Sequence, residues 1–413
     1  MSKRISRRQF NTALVASAAT SAFSPFGIVR SQVSRLKVGV LLPRTGILGL
    51  FGQSSQKGAD LAPDLIKDML GVDIELLNAD WESNVDTART RAERLIQQGA
   101  HVLVGAWDSG ATAAVAQVAE QRGVPLVINI SSAPQITEQG YKFVFRNFPP
   151  AAESTVNALA MIGDLFRATN VAPRTAVHMH VNDTYGQSIT KATQALLPRV
   201  TQLPFKIVDT ISYDPTAKDL SIEVSKAKAA NPDFVILVAR LNDAILLRRE
   251  VVKQRWNTMG IISIGAPAML ERQFYKVLGK LSEHCISIVP WYAPTAKLTK
   301  RVEAAFKKQN PNDELMFNGL NVGYTFEAIL IAADAFKRAR SADPKELTDA
   351  LRRTNIAERM MLGDAIRFDD KGQVVGNGSG CLQNLSLKPT LVLPTNAAET
   401  KPVFPWPEFK RAR

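Results

Sequence analysis

Short apolar runs alternate with segments whose apolar residues return every three or four positions, and this alternation constrains the fold more than any other feature of the chain. The runs at 37–43, 72–78, 102–105 and 125–130 are separated by helix-patterned segments at 54–69, 86–98 and 111–122. That order is the βαβ rhythm of a parallel sheet covered by helices. Pro63 falls inside the first helical segment and predicts a kink or a late start there. After Arg146-Asn147-Phe148-Pro149-Pro150 the rhythm restarts, with a helix at 152–167 and strands at 175–181, 206–211, 234–239 and 261–265. A strand at 286–290 and helices at 299–309, 321–339 and 344–353 follow. Residues 366–393 carry short alternating runs that predict hairpins or edge strands, and the tail after Pro394 is polar and proline-rich. No internal repeat is evident, so two α/β lobes sharing one chain of 413 residues is the economical reading.

Composition supports a packed core, because 46% of the residues are hydrophobic and 22% charged. The formal charge is +13, yet the first 36 residues hold six cations and no acid, which leaves +7 on the rest. The remaining Lys and Arg are dispersed among acids without aromatic interleaving, which argues against nucleic acid as a partner.

Ser6-Arg7-Arg8-Gln9-Phe10 precedes a weakly apolar run of small residues that Pro25 closes. The pattern is that of a secretory leader with a twin arginine, spanning about residues 1–31, with cleavage sites after Ala18, after Ala22 or nearer Ser31 all open. The run is too polar and too short for a membrane span. Export places Cys285 and Cys381 in an oxidising compartment, where one disulfide and two buried thiols are both compatible with the pattern. Neither cysteine has a zinc-ligand spacing.

The sequence lacks the nucleophile, zinc, P-loop and dinucleotide motifs that would mark an enzyme or cofactor site, and no cofactor is expected. Gly46, Gly49 and Gly52 follow the first strand, but without a P-loop lysine they read better as a turn or binding loop than as a phosphate cradle. His178 and His180 alternate on one strand without an identifiable third ligand, so packing is favoured over metal. Asp369-Asp370 reads as a turn. What remains is a set of polar residues at the carboxyl ends of predicted strands, where ligands bind parallel sheets. They are Trp107-Asp108-Ser109 after the third strand, Ile130-Ser131-Ser132 after the fourth, and Asp183-Thr184-Tyr185 in the second lobe. Their hydroxyls and backbone N–H groups suit a carboxylate, while N-capping and turn formation are the plainer roles.

The blocks KVGVLLPRTGILGLFGQ, LVGAWDSGATAAVAQVAEQRGVPLVINISSAPQITEQGYKFVFRNFP, VNDTYGQS, PDFVILVAR and LGDAIRFDDKGQ occur in this order over nearly the whole mature chain. Together they resemble the branched-chain amino-acid (Leu/Ile/Val) class of periplasmic solute-binding proteins of ABC transporters. The resemblance implies a type I periplasmic-binding fold: two doubly wound α/β lobes, 37–147 plus 290–372 and 148–289 plus 373–413, joined by three crossovers and closing on a ligand in the cleft. It implies a monomer that delivers its solute to permease subunits and touches the membrane only through them.

By the same resemblance, the ligand's α-carboxylate and amino group fall on Ser109, the backbone of Ile130, and Ser132, and the second-lobe tyrosine is Tyr185. One departure concerns the ammonium: where the family places an acid, this chain has Gly265-Ala266-Pro267-Ala268. Another is Arg240 at the end of the preceding strand, a cation suited to a carboxylate or, equally, to an ion pair with Asp243 or Glu250. Trp107 and Phe51 offer apolar surface, and Asp108 is the acid nearest to replacing the missing one. The expected solute is a small carboxylate-bearing molecule, either amino acid-like or a keto, hydroxy or aromatic acid, with such an acid preferred to leucine; should Asp108 supply the missing charge, amino acids return as ligands. A sensor of the same fold and an exported α/β enzyme are the rival readings. The export leader argues against a cytoplasmic sensor, and the absent nucleophile and metal motifs argue against the enzyme.

Overall fold

The computed structural model describes residues 35–410, so the leader and its cleavage site lie outside the described residues. The first sheet contains β1 (Arg35–Leu42), β2 (Asp73–Asp80), β3 (Val102–Gly105), β4 (Leu126–Ile128) and β5 (Val144–Arg146). All its pairings are parallel, in the order β2-β1-β3-β4-β5. Parallel neighbours need crossovers, and α1 (Gly49–Leu70), α2 (Val85–Gln97) and α3 (Ser109–Arg122) supply them. Every residue of β3 and β4 is buried, which is why both read as unbroken apolar runs. The order reverses between β1 and β3.

The second sheet holds β6 (Thr175–Val181), β7 (Lys206–Tyr213), β8 (Phe234–Val238), β9 (Ile261–Ile264) and β10 (Ile286–Val289), all parallel. An antiparallel hairpin, β11 (Gly380–Leu385) and β12 (Lys388–Leu393), closes one edge, giving the order β12-β11-β10-β9-β8-β6-β7. Its helices are α4 (Ala151–Thr169), α5 (Thr184–Leu196), α6 (Ser221–Ala229), α7 (Leu241–Lys253) and α8 (Arg272–Leu278). Here the order reverses between β6 and β8.

After β10 the chain returns to the first sheet through α9 (Lys297–Gln309), α10 (Gly319–Ala339) and α11 (Pro344–Arg352), with α10 packed on α1, β1, β3 and β4. It therefore passes between the sheets three times: after β5, after β10 and before β11. The helices α1 and α10 lie so close that a Cβ on Gly58 would stand 2.4 Å from the Val322 carbonyl oxygen. The helix runs without a break through Pro63 and begins at Gly49, earlier than position 54, so the late start expected there does not occur. Gly52 serves contact too, because its Cβ would meet the Pro43 carbonyl oxygen at 2.1 Å.

Cys285 and Cys381 are free and buried. Cys381 lies opposite Ile288, whereas Cys285 bonds across to Asn384, so the two are three rungs apart on neighbouring strands. That is about 10 Å at strand spacing, beyond the reach of a disulfide. His178 and His180 pack edge to face inside the sheet, and among the described residues no cluster suits a metal ion. Asp369 accepts the backbone N–H groups of Lys371 and Gln373, the turn expected there.

Candidate functional site

Both reversals of strand order face one crevice, the position where open α/β sheets bind ligands. Trp107 and Ser109 follow β3, and Ile130 and Ser132 follow β4. From the second sheet, Tyr185 follows β6 and Arg240 follows β8. These six residues line one small pocket. Phe148 and Leu320 add apolar walls, and the loop Gly265-Ala266-Pro267 covers the second-lobe side. Asp108 is not among the lining residues, nor is Phe51, which is buried behind Trp107 with ring centroids 4.6 Å apart and an interplanar angle of 17°.

Asp108 is held elsewhere. Its Oδ1 accepts the N–H groups of Gly110 and Ala111, capping α3, while its Oδ2 accepts from Arg240 Nη2 at 2.7 Å. Arg240 also donates from Nε and Nη2 to Asp183 Oδ2, at 3.1 and 2.9 Å. The surface pairs expected for Arg240 are not made: Asp243 accepts only its backbone N–H, and Glu250 pairs with Lys253. The guanidinium carbon lies 5.2 Å from the centroid of Trp107 and 4.5 Å from that of Tyr185, a double cation–π contact. Burial opposes the Arg240 charge, but Asp183 and Asp108 outweigh it and raise its pKa. The hydrogen bonds to Asp108 and Asp183 come from Nε and Nη2, and the Arg240 side chain forms part of the pocket wall.

The hydroxyls differ in state. Ser109 Oγ accepts from the Ala133 N–H at 3.3 Å, whereas Ser132 Oγ is buried with no partner. Ser109 opens α3, and with Asp108 occupying the N–H groups of Gly110 and Ala111, its own N–H is an orphan donor of the first turn. The Tyr185 hydroxyl donates to the Ile264 carbonyl at 3.0 Å, and burial raises its pKa. Tyr185 thus presents ring surface to the pocket.

The supports of this site were invisible in the sequence. Arg146 is buried and donates to the carbonyls of Ser131 and Ala133, to Thr137 Oγ1 and to Gln373 Oε1, fixing the loop that carries Ser132. Burial lowers its pKa to about 10, against the pull of Glu138, Asp369 and Glu153. Trp107 Nε1 donates to Asn321 Oδ1 at 2.9 Å, and Asn321 Nδ2 to Glu271 Oε1 at 3.0 Å. Phe148 stood in the conspicuous Arg146–Pro150 motif and was open to discovery; Leu320, at the start of a distant helix, carried no signal.

Two α/β units whose switch points face one another across a small, largely apolar crevice define a two-lobed solute-binding protein. The chain belongs to the periplasmic binding protein family, whose model matches residues 35–379. It is 24% identical over 361 residues to a leucine-, isoleucine-, valine-, threonine- and alanine-binding protein of Pseudomonas aeruginosa, covering 86% of this chain and 91% of the relative. The fold matches a branched-chain amino acid transporter substrate binding protein of Streptococcus pneumoniae solved with isoleucine, with TM-score 0.74, 19% identity, and 90% and 100% of the two chains covered. It also matches a solute binding protein of R. palustris solved with benzoate, with TM-score 0.73, 16% identity, and 87% and 95% covered. These relatives are binding proteins, and the chain is a substrate-binding protein rather than an enzyme.

Proposed function

We propose that the protein is the extracytoplasmic solute-binding component of an ABC importer and that its solute is a small carboxylate without a free α-amino group. The observation that carries this reading is a pocket lined from one side by a buried hydroxyl without a partner, Ser132 Oγ, and from the other by the guanidinium-bearing Arg240. A carboxylate accepts from both, and from the Ser109 N–H at the start of α3. An ammonium would lack an anion, because Asp108, Asp183 and Asp243 are each engaged by Arg240. Trp107, Phe148, Tyr185 and Leu320 suit an aromatic or branched apolar body.

Capture proceeds by closure of two bodies, 37–147 with 290–372 and 148–289 with 373–413, about the three crossovers. The closed form docks on permease subunits, and the twin-arginine leader delivers the folded protein to the periplasm. The names of the relatives favour a second reading, an aliphatic amino acid. Thermal-shift screening followed by calorimetry with benzoate, leucine and the 2-keto analogue of leucine separates the two. A probe at 100 times its dissociation constant adds about 2.7 kcal/mol of stability. Leucine binding at least tenfold tighter than both acids overturns the carboxylate assignment, and loss of all three signals together with every other amino acid overturns the carrier role.

A further inference from the structure

Behind the Trp107 wall a hydrogen-bonded chain crosses from one side of the cleft to the other. Trp107 Nε1 donates to Asn321 Oδ1, and Asn321 Nδ2 donates to Oε1 of Glu271, which belongs to the second-sheet unit and stands just before α8. Glu271 is 7% exposed and faces a second cavity between the two units, shared with Lys57 of α1 and Asp313. Its burial is therefore completed by groups from the other unit, and separating the two would return its carboxyl to water.

We propose that Glu271 is a positioning residue whose carboxyl must be neutral for the cleft to close, so that closure takes up a proton and solute affinity falls as pH rises. The inference rests on the closure reading given above. The ionisable groups around Glu271 do not supply the charge its carboxylate would need. Lys57 is paired with Asp313. Arg272 is paired with Asp313 and Glu314. Lys276 is exposed on the outer turn of α8, Tyr275 is a buried neutral phenol, and Asp313 repels a second anion. Burial is the dominant influence and raises the carboxyl to about 8, despite the Asn321 hydrogen bond and the Lys57 charge, which act in the opposite direction. In an open cleft the group returns toward its ordinary value of 4.5. Between these limits the closed form holds a proton that the open form lacks. Lower pH then favours closure, and the cost of closing grows with pH until the buried group itself ionises.

The neutral carboxyl also orients the carboxamide of Asn321, and through it the indole that forms one wall of the solute pocket. Glu271→Gln keeps the shape and the acceptor oxygen but cannot titrate; Glu271→Ala removes both. Calorimetric titrations with benzoate, leucine and leucine's 2-keto analogue at pH 6.0, 7.0 and 8.5 are compared for the wild type and the two variants. The wild type is expected to lose about tenfold or more in affinity across this range, tenfold being the effect of one unit of linked pKa difference. Glu271→Gln is expected to bind with a flat profile near the tightest wild-type value, and Glu271→Ala weakly at every pH. Parallel wild-type and Glu271→Gln profiles overturn the proposal while leaving the carrier role intact. If none of the probes binds at any pH, the carrier reading fails by itself. With a probe that binds, the side-chain carbon signal of Glu271, identified by its loss in Glu271→Gln, gives a second readout by carbon-13 NMR of the full protein saturated with that probe. A titration midpoint near pH 8 in the saturated protein supports the inference, and a midpoint in the ordinary carboxylate range there overturns it.

Discussion

Arg240 Nη2 stands 2.7 Å from Asp108 Oδ2, and this pair joins the loop after β8 to the loop after β3. With Asp183 as its second partner, the guanidinium is neutralised by the protein's own carboxylates. Asp108 is consequently a structural anion, and its loss acts on cleft geometry and not on recognition of a ligand charge. In Asp108→Asn both leucine and its 2-keto analogue are expected to lose affinity by the same factor, equivalent to about 1–3 kcal/mol, the scale of a hydrogen bond to a charged group. Paired calorimetric titrations check this. Selective collapse of leucine binding would assign Asp108 to the ammonium and end the present interpretation.

Ser132 separates stability from binding. Its hydroxyl is buried without a partner, so Ser132→Ala removes an unsatisfied group and should leave urea stability unchanged or raise it by up to about 1 kcal/mol. The same variant should weaken the carboxylate probe by roughly 1–3 kcal/mol, because a bound oxygen then loses its donor. Destabilisation together with unchanged affinity would place the hydroxyl in the fold and not in the site.

The legibility of the chain followed the range of the forces involved. The strand at 175–181 was readable because its apolar pattern is local, and β6 occupies those same residues. The three-residue β5 was too short for a period, and α6 buries only Val224 and Ala227, too few to trace a stripe. Six residues that line the candidate pocket were readable because strand ends in a parallel sheet have a fixed address. The pairing of Arg240 with Asp108 was not, since 132 positions separate them and only the opposed lobes bring them together. The same holds for Arg146, whose partner Gln373 lies 227 positions away.

Arg146 should prove indispensable to the loop after β4. Arg146→Leu leaves the carbonyls of Ser131 and Ala133 and the Gln373 side chain without a donor in a buried setting. Unsatisfied buried groups cost about 1–3 kcal/mol apiece, so urea unfolding should report a loss of at least about 3 kcal/mol. Arg146→Lys carries the charge but not the fork, and should recover less than half of it. A loss below about 1 kcal/mol in Arg146→Leu would mean that the loop is held by other contacts.

The two thiols should remain unreactive in the folded protein. Burial raises Cys285 to about 11 and Cys381 to about 12, leaving little thiolate at neutral pH. A thiol reagent under native conditions is expected to label neither until urea unfolds the chain, and a reductant should leave the melting temperature of the protein unchanged. A reductant-induced drop in that temperature would require a disulfide and a rearranged β10–β11 pairing.

Asp243 provides a pH-dependent test of the arginine loop that needs no ligand. Burial is the largest influence on its carboxyl and raises it from 3.8 to about 6, while the Arg240 backbone N–H, 3.0 Å away, acts to lower it. Because the folded-state value is the higher one, the native protein holds this proton more tightly than the unfolded chain. The associated stability is fully present below the unfolded value and disappears as pH rises through about 6. Asp243→Asn keeps an oxygen for the Arg240 N–H but has nothing to titrate. Urea unfolding of both proteins between pH 3.5 and 7.5 should give a difference that is constant at the acid end. It should then move by about 1–3 kcal/mol in favour of Asp243→Asn as pH approaches 6, and level off above it. Glu271 titrates identically in the two proteins and cancels from the difference. Parallel stability curves across the whole range would show that Asp243 ionises normally, and that the Arg240 loop is more hydrated than its burial implies.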